Sequence, residues 1–271
     1  MTTILNEAPA LKAEKAQESS HWYSFDADVW SPLYTPEKSF TLREARKAQK
    51  EGRTIAPSVT TIFKALHKQM LLDWKVQEAV KLAYDKSCTA IKFGRDEWVD
   101  SIISEASNSS RGAMDLGTRI HSAIEAASAG QGYDADMAQY VVPAMREREG
   151  LVSLSVEECV GNASYGYAGR CDEFFHGLVV GDNKSRKTRA GKKVASYETD
   201  SMQLAAYGFA KWGADFLTSG RGVIFVISTT EPGRCEKVWV ENDEINAAFE
   251  GFVALTGVWR YVNSFDPRTQ W

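Results

Sequence analysis

The chain has 271 residues, of which 44% are hydrophobic and 25% charged, with a formal net charge of −4. This is an ordinary globular composition, long enough to bury a full core. It excludes a polycationic nucleic-acid binder, so contact with nucleic acid has to come from a local basic surface. No apolar run reaches the roughly eighteen residues of a membrane span, and residues 1–7 lack the basic and apolar regions of a secretory leader. A cytoplasmic protein with no membrane partner is expected.

Residues 1–56 read as a polar, partly irregular arm. Its aromatics between Trp22 and Tyr34 are expected to pack on the body, with base stacking as their second use. Pro57-Ser58 opens a helical region, with Ser58 as N-cap and Val59, Ile62, Phe63, Leu66 and Met70 at helical spacing. Further helices are predicted over 71–85, 96–106, 111–127 and 134–149. The texture changes at Gly150. Strands are predicted over 151–160, 165–175 and 178–184, then a helix over 197–211. Strands over 221–230 and 234–240 and a helix over 243–262 complete the chain. The fold class is therefore mixed α/β (α+β): a central sheet of about five strands flanked by helices, preceded by an α-helical N-terminal half. Three regions result: the arm (1–56), a helical region (57–149) and a sheet-containing core (150–271), the last two forming one compact domain.

The four cysteines, Cys88, Cys159, Cys171 and Cys235, form no CxxC pair. Reduced, mostly buried thiols are expected, without a zinc site or a disulfide framework.

Four short patterns carry chemistry. Asp182-Asn183-Lys184 ends an apolar strand, and residues two apart on a strand share a face. A carboxylate is a hard ligand for Mg²⁺ or Mn²⁺, and a neighbouring ammonium can orient water or neutralise a phosphate. Gly169-Arg170-Cys171-Asp172 lies on the preceding strand. A two-residue turn at His176-Gly177 would put Asp172 and Asp182 on opposite faces. A three-residue turn of Phe175-His176-Gly177 would pair Asp172 with Val180 and make Asp182 its same-face diagonal neighbour. Gly117-Thr-Arg-Ile-His121 puts His121 at the rim of an apolar helix stripe. Gln203-Leu-Ala-Ala-Tyr207 places Gln203 and Tyr207 on one helical face. After the DxK pattern, residues 184–193 hold several cations and no acid. Of these, Lys187, Arg189, Lys192 and Lys193 are candidate phosphate contacts, and a solvated loop is the plainer reading.

The order GxxxH, GxxD, DxK, QxxxY resembles the RecB-like branch of the PD-(D/E)XK nucleases, and within it the phage-encoded and mitochondrial genome-maintenance exonucleases. Pro57-Ser-Val-Thr-Thr-Ile62 followed by Leu72-Asp-Trp-Lys75 is similar to the helical entry segment of that group. The resemblance spans about residues 57–207 and implies a restriction-endonuclease-like core. It further implies Asp172, Asp182 and His121 as ligands of Mg²⁺ or Mn²⁺, with Asp172, Asp182 and Lys184 catalytic. Gln203 and Tyr207 would contact phosphate or hold Lys184, and Ser58, with Lys187 and Arg189 of the basic run, would also meet substrate. Glu157 or Glu158 would be an additional acid. Asn183 stands where an aromatic or aliphatic residue is usual, and Ser185 where threonine is usual. The cysteine pattern of the iron–sulfur relatives is missing, so no cluster is expected. The implied activity is hydrolysis of phosphodiester bonds from single-stranded DNA ends, in replication, repair or recombination, in the host cytoplasm if the chain is phage-encoded. A duplex-resecting recombination exonuclease and a non-catalytic DNA-binding protein of the same fold are the alternatives. Protein partners are left unspecified.

Overall fold

The computed structural model describes residues 21–34, 39–66, 69–92, 94–194 and 196–268, without the side chains of 69–75, 91–92, 107–111 and 113. The side chains of the Leu72-Asp-Trp-Lys75 motif therefore lie outside the described residues, as do residues 1–20 of the expected arm.

The rest of that arm is more regular than its composition suggests. Strands β1 (Trp22–Asp26), β2 (Val29–Pro32) and β3 (Thr54–Pro57) form an antiparallel sheet in the order β2-β1-β3. Asp26 pairs with Val29 across a two-residue turn in which Ala27 and Asp28 both take positive φ, the backbone that a tight hairpin demands. Helix α1 (Leu42–Lys50) starts in a reciprocal capping box between Thr41 and Glu44, and buries Ala45 and Ala48. The small sheet is anchored by apolar burial: Trp22 and Ile55 enter the main core, and Tyr23, Trp30 and Ala56 pack with Ala168.

Ser58 caps α2 (Val59–Ile62), accepting from the Thr61 N–H at 3.0 Å. Then come α3 (Gln69–Asp85), α4 (Arg95–Ser128) and α5 (Ala138–Glu147). Two predicted helices, 96–106 and 111–127, are joined in α4. Gly112 sits inside it, and one interior glycine costs only about 1 kcal/mol against alanine, too little to end a helix.

The second half holds β4 (Ser153–Asn162), β5 (Tyr167–Phe175), β6 (Val179–Arg186), α6 (Glu198–Trp212), α7 (Ala214–Ser219), β7 (Arg221–Ser228), β8 (Cys235–Val240) and α8 (Asn242–Asn263). The sheet order is β4-β5-β6-β7-β8, with β6 and β7 parallel and the other neighbours antiparallel. The parallel pair needs a crossover, which α6 and α7 provide, and its strands are buried on both faces. On one face Val180, Ile224 and Val226 pack with Leu204 of α6 and Phe252 of α8. On the other, Val179, Phe225 and Ile227 pack with Ile120 and Ile124 of α4 and Val141 of α5. The mixed α/β architecture is thus a five-stranded sheet between helices, with a separate three-stranded sheet beside it. Among the described residues no helix is long and apolar enough to cross a membrane.

Candidate active site at the β5–β6 hairpin

The hairpin register decides which side chains can meet. Phe175 pairs with Val179, Phe174 with Val180 and Glu173 with Gly181. The turn has three residues, the parity that keeps Asp172 and Asp182 on one face. It lies one residue later than expected, at His176-Gly177-Leu178, because both Gly177 and Leu178 adopt positive φ. Continued by one pair, this register sets Asp172 directly opposite Asp182, where the sequence reading placed them on a diagonal. Beyond Gly181 the Asp172 carboxylate takes over from the backbone ladder and accepts from the Asn183 N–H at 2.8 Å. His121 of α4 brings Nδ1 to 3.5 Å from the same carboxylate.

Asp182 and Lys184 share a face of β6, as their spacing requires. The Lys184 ammonium lies 2.6 Å from Asp182 Oδ2 and donates to Gln203 Oε1 at 3.0 Å. Gln203 in turn hydrogen-bonds Tyr207. Gln203 thus braces Lys184, one of the two roles the sequence left open, while Gln203 and Tyr207 also border the neighbouring cavity. Two motif glycines have steric reasons. A Cβ at Gly169 would fall 2.6 Å from the Tyr207 ring, and one at Gly117 would fall 2.9 Å from Ser185 Oγ. Gly169 makes room for the tyrosine, and Gly117 lets α4 approach β6 closely enough for His121 to reach Asp172.

Glu157 joins this row. Its neighbours Val156 and Glu158 pair with Glu173 and Cys171, so Glu157 falls opposite Asp172, in a left-handed backbone conformation. Three acids thus stand side by side across β4, β5 and β6. Glu158 is directed elsewhere, to Lys211 and Ser155, which resolves the choice between the two glutamates. Burial, reinforced by Asp172, pushes the Glu157 carboxyl up to about 7, against the pull of Arg170 at 2.6 Å. Burial likewise raises Asp182 to about 6, opposed chiefly by Lys184. Burial pulls Lys184 down, but Asp182 and Asp172 together outweigh it and hold the ammonium above its ordinary range.

A cavity of about 850 Å³ opens over the row. One wall is α4, with Gly117, His121 and Glu125; the sheet supplies Glu157, Arg170 and Asp172. Gln203 and Tyr207 close one side, and Ser58 and Thr60 lie at the α2 end. The remaining wall is aromatic and comes from the N-terminal sheet region: His21, Tyr23 and Tyr34. Asp182 and Lys184 sit behind this lining, reached through Asp172 and Gln203. Ser58 borders the cavity, but its hydroxyl is engaged with the α2 cap and Thr61. Lys187 and Arg189 are not brought to the carboxylates. They line a separate pocket of about 300 Å³ with Lys192, Lys193 and Tyr197.

The donors offered by this row are hard oxygens, suited to Mg²⁺ or Mn²⁺. Asp182 Oδ2 is buried without a hydrogen-bond partner, since Lys184 meets it as an ion pair outside hydrogen-bond alignment. Among the described residues no three His, Cys, Asp or Glu side chains already form an ion cage. The residues fit an ion through the carboxylates of Asp182 and the adjacent Asp172, not through a closed set of ligands, with Asp182 Oδ2 already shared with the Lys184 ammonium at 2.6 Å. The sequence reading named the aromatics between Trp22 and Tyr34, with packing on the body first and base stacking second; that Tyr23 and Tyr34, together with His21, border this cavity was not foreseen. Compared with protein-family models the chain matches none, and among curated proteins none is significantly similar to it.

Proposed function

We propose that the chain is a Mg²⁺- or Mn²⁺-dependent deoxyribonuclease that hydrolyses phosphodiester bonds in single-stranded DNA from a free end. The observation that carries this reading is the alignment of Asp172 and Asp182 on one face, with Lys184 paired to Asp182 and braced by Gln203. Asp172 and Asp182 would hold the ion, with His121 as a nitrogen donor that suits Mn²⁺ better than Mg²⁺. A divalent ion held there would supply Lewis acidity and make a bound water more acidic than bulk water. The chain's own share is electrostatic. Lys184, kept protonated by two carboxylates, presents a fixed positive charge to the phosphate as negative charge accumulates on it, and Gln203 limits its movement. Lys187 and Arg189, in their separate pocket, would hold phosphates on the approach to the cavity. A cytoplasmic role in DNA replication, repair or recombination follows from the same reading.

The test is digestion of end-labelled DNA in single-stranded, duplex and circular single-stranded forms, with Mg²⁺, Mn²⁺ or EDTA. Metal-dependent loss of the linear single strand is expected, with the circle and the duplex resistant. Equal rates on circle and line would remove the free-end requirement, and faster loss of duplex would favour a resecting exonuclease. No cleavage with either metal would leave a binding protein of this fold. His121→Ala should raise the Mn²⁺ concentration needed for half-maximal activity; an unchanged titration returns His121 to a structural role.

A further inference from the structure

The aromatic wall of the cavity has a construction that the chemistry of hydrolysis does not require. The rings of His21 and Tyr34 are stacked, with centroids 4.2 Å apart and planes inclined by 11°. The Tyr34 hydroxyl lies 3.2 Å from that of buried Tyr23, which fixes the outer ring to the small sheet. His21 is held from three directions. Its backbone N–H donates to Thr61 Oγ1 at 3.1 Å, and its backbone carbonyl accepts from Thr61 Oγ1 at 3.3 Å and from the Ser58 N–H at 2.8 Å. Burial, then Lys64 and Arg170, lowers the His21 pKa, so the imidazole in the stack is neutral near neutral pH. Both rings border the same cavity as Asp172 and Glu157.

We infer that His21 and Tyr34 form a base-binding subsite, on which one unpaired base of the substrate strand stacks while its backbone passes the carboxylate row. Three features support this. The platform is pre-organised, so little side-chain freedom is lost on binding. Both its rings border the cavity with no charged residue in the stack, and stacking on an aromatic ring accepts any of the four bases. Its cavity has the volume of a small-ligand pocket, on the scale of nucleotides and not of a double helix. A base paired and stacked in a duplex has no free face to offer. The subsite would thus select single-stranded DNA independently of how the strand enters. The inference rests on the nuclease reading and names the substrate group that occupies the far wall of its cavity.

The experiment is an abasic scan. Linear single-stranded oligonucleotides, each lacking one base at a successive distance from the cleaved end, are digested by the wild-type chain, Tyr34→Leu, His21→Ala and Tyr34→Phe. With wild type, KM should rise about five- to hundredfold at one position, the range of base–aromatic stacking, with little change in kcat. Tyr34→Leu and His21→Ala should raise KM on the intact strand by a similar factor and flatten the scan. Tyr34→Phe, which keeps the ring, should restore the position-specific loss. A flat scan from an active wild type overturns the subsite and leaves the nuclease reading standing; this arm decides even if a variant fails to fold. A Tyr34→Phe scan as flat as that of Tyr34→Leu also overturns it, by assigning the effect to the hydroxyl pair. Failure of the wild type to cleave any single strand removes the nuclease reading and the subsite with it.

Discussion

The two faces of β6 treat buried charge in opposite ways. On one face Asp182 and Lys184 are in contact, but Asp182 Oδ2 lacks a hydrogen bond and Glu157 and Asp172 add like charge nearby. On the other, Asn183 belongs to a network with its partners in place. Arg148 donates to Glu173 at 2.9 Å, to Asn183 Oδ1 at 2.6 Å and to the Ala144 carbonyl at 2.9 Å, with its guanidinium 4.0 Å from the Phe225 ring centre. Arg148 and Glu173 are each less than a tenth exposed. A satisfied buried network makes a strand rigid, whereas unsatisfied carboxylates store affinity for something the protein does not itself supply. The departure at Asn183 thus has a structural reason: the residue is a polar clamp where an apolar side chain would leave Arg148 short of an acceptor.

This contrast predicts that mutations one residue apart separate activity from stability. Asp182→Asn and Lys184→Ala should reduce cleavage by about a hundredfold to a thousandfold or more, the scale of losing a preorganised electrostatic group. Asp182→Asn should keep or raise the melting temperature, since it removes a poorly satisfied buried charge. Normal turnover by either variant would break the site assignment. Arg148→Met should do the converse and lose about 3–5 kcal/mol in urea unfolding, because Glu173 is left buried and unpaired. A loss below about 1 kcal/mol would mean that the back-face network is not what stiffens the strand.

The pH dependence of stability adds a third measurement. Glu157 has its carboxyl raised to about 7, so the folded chain binds its proton more tightly than the unfolded chain does. That contribution is fully present below the ordinary glutamate range and is lost as pH rises through about 7. At about 1.4 kcal/mol per unit, the rise from 4.5 to about 7 amounts to about 3 kcal/mol, with the opposing pull of Arg170 already included. In EDTA, Glu157→Gln should flatten the fall in wild-type stability between pH 5 and 8; parallel curves would show that Glu157 is better solvated than its place in the row implies. The smallest effect is expected for Asn183→Leu, about 1–3 kcal/mol, because only one donor of Arg148 loses its acceptor. A neutral or stabilising result would show that the aliphatic residue is tolerated and the clamp dispensable.

Periodicity carried much of this molecule. The same-face relation of Asp182 and Lys184, the helical placement of Gln203 and Tyr207, and the order of β4 to α8 all follow from side-chain spacing within one element. That information is local, because a strand repeats every two residues and a helix every 3.6. Some local signals went unread: the Thr41–Glu44 capping box marks α1, while the Ala27-Asp28 turn lacks the glycine that normally announces a tight hairpin. Four consecutive polar residues, Ser107 to Ser110, separate the two predicted helices, yet propensity differences of a few tenths of a kcal/mol each are too small to end a helix.

Relations between elements were decided only by the tertiary structure. Which glutamate stands beside Asp172 depends on the β4–β5 register and on a left-handed conformation at Glu157. The exact pairing of Asp172 with Asp182 depends on Leu178 also taking positive φ, which no rule for leucine anticipates. Arg148 looks like a solvent-facing helix end until Glu173 and Asn183 are brought to it from 25 and 35 residues away. The aromatic wall exists because Trp22 and Ile55 bury the small sheet against the core and carry His21, Tyr23 and Tyr34 to the cavity. Composition and periodicity determine which face of an element is apolar; which charged side chains end up facing one another depends on long-range packing, and packing energy is shared among residues far apart in the chain.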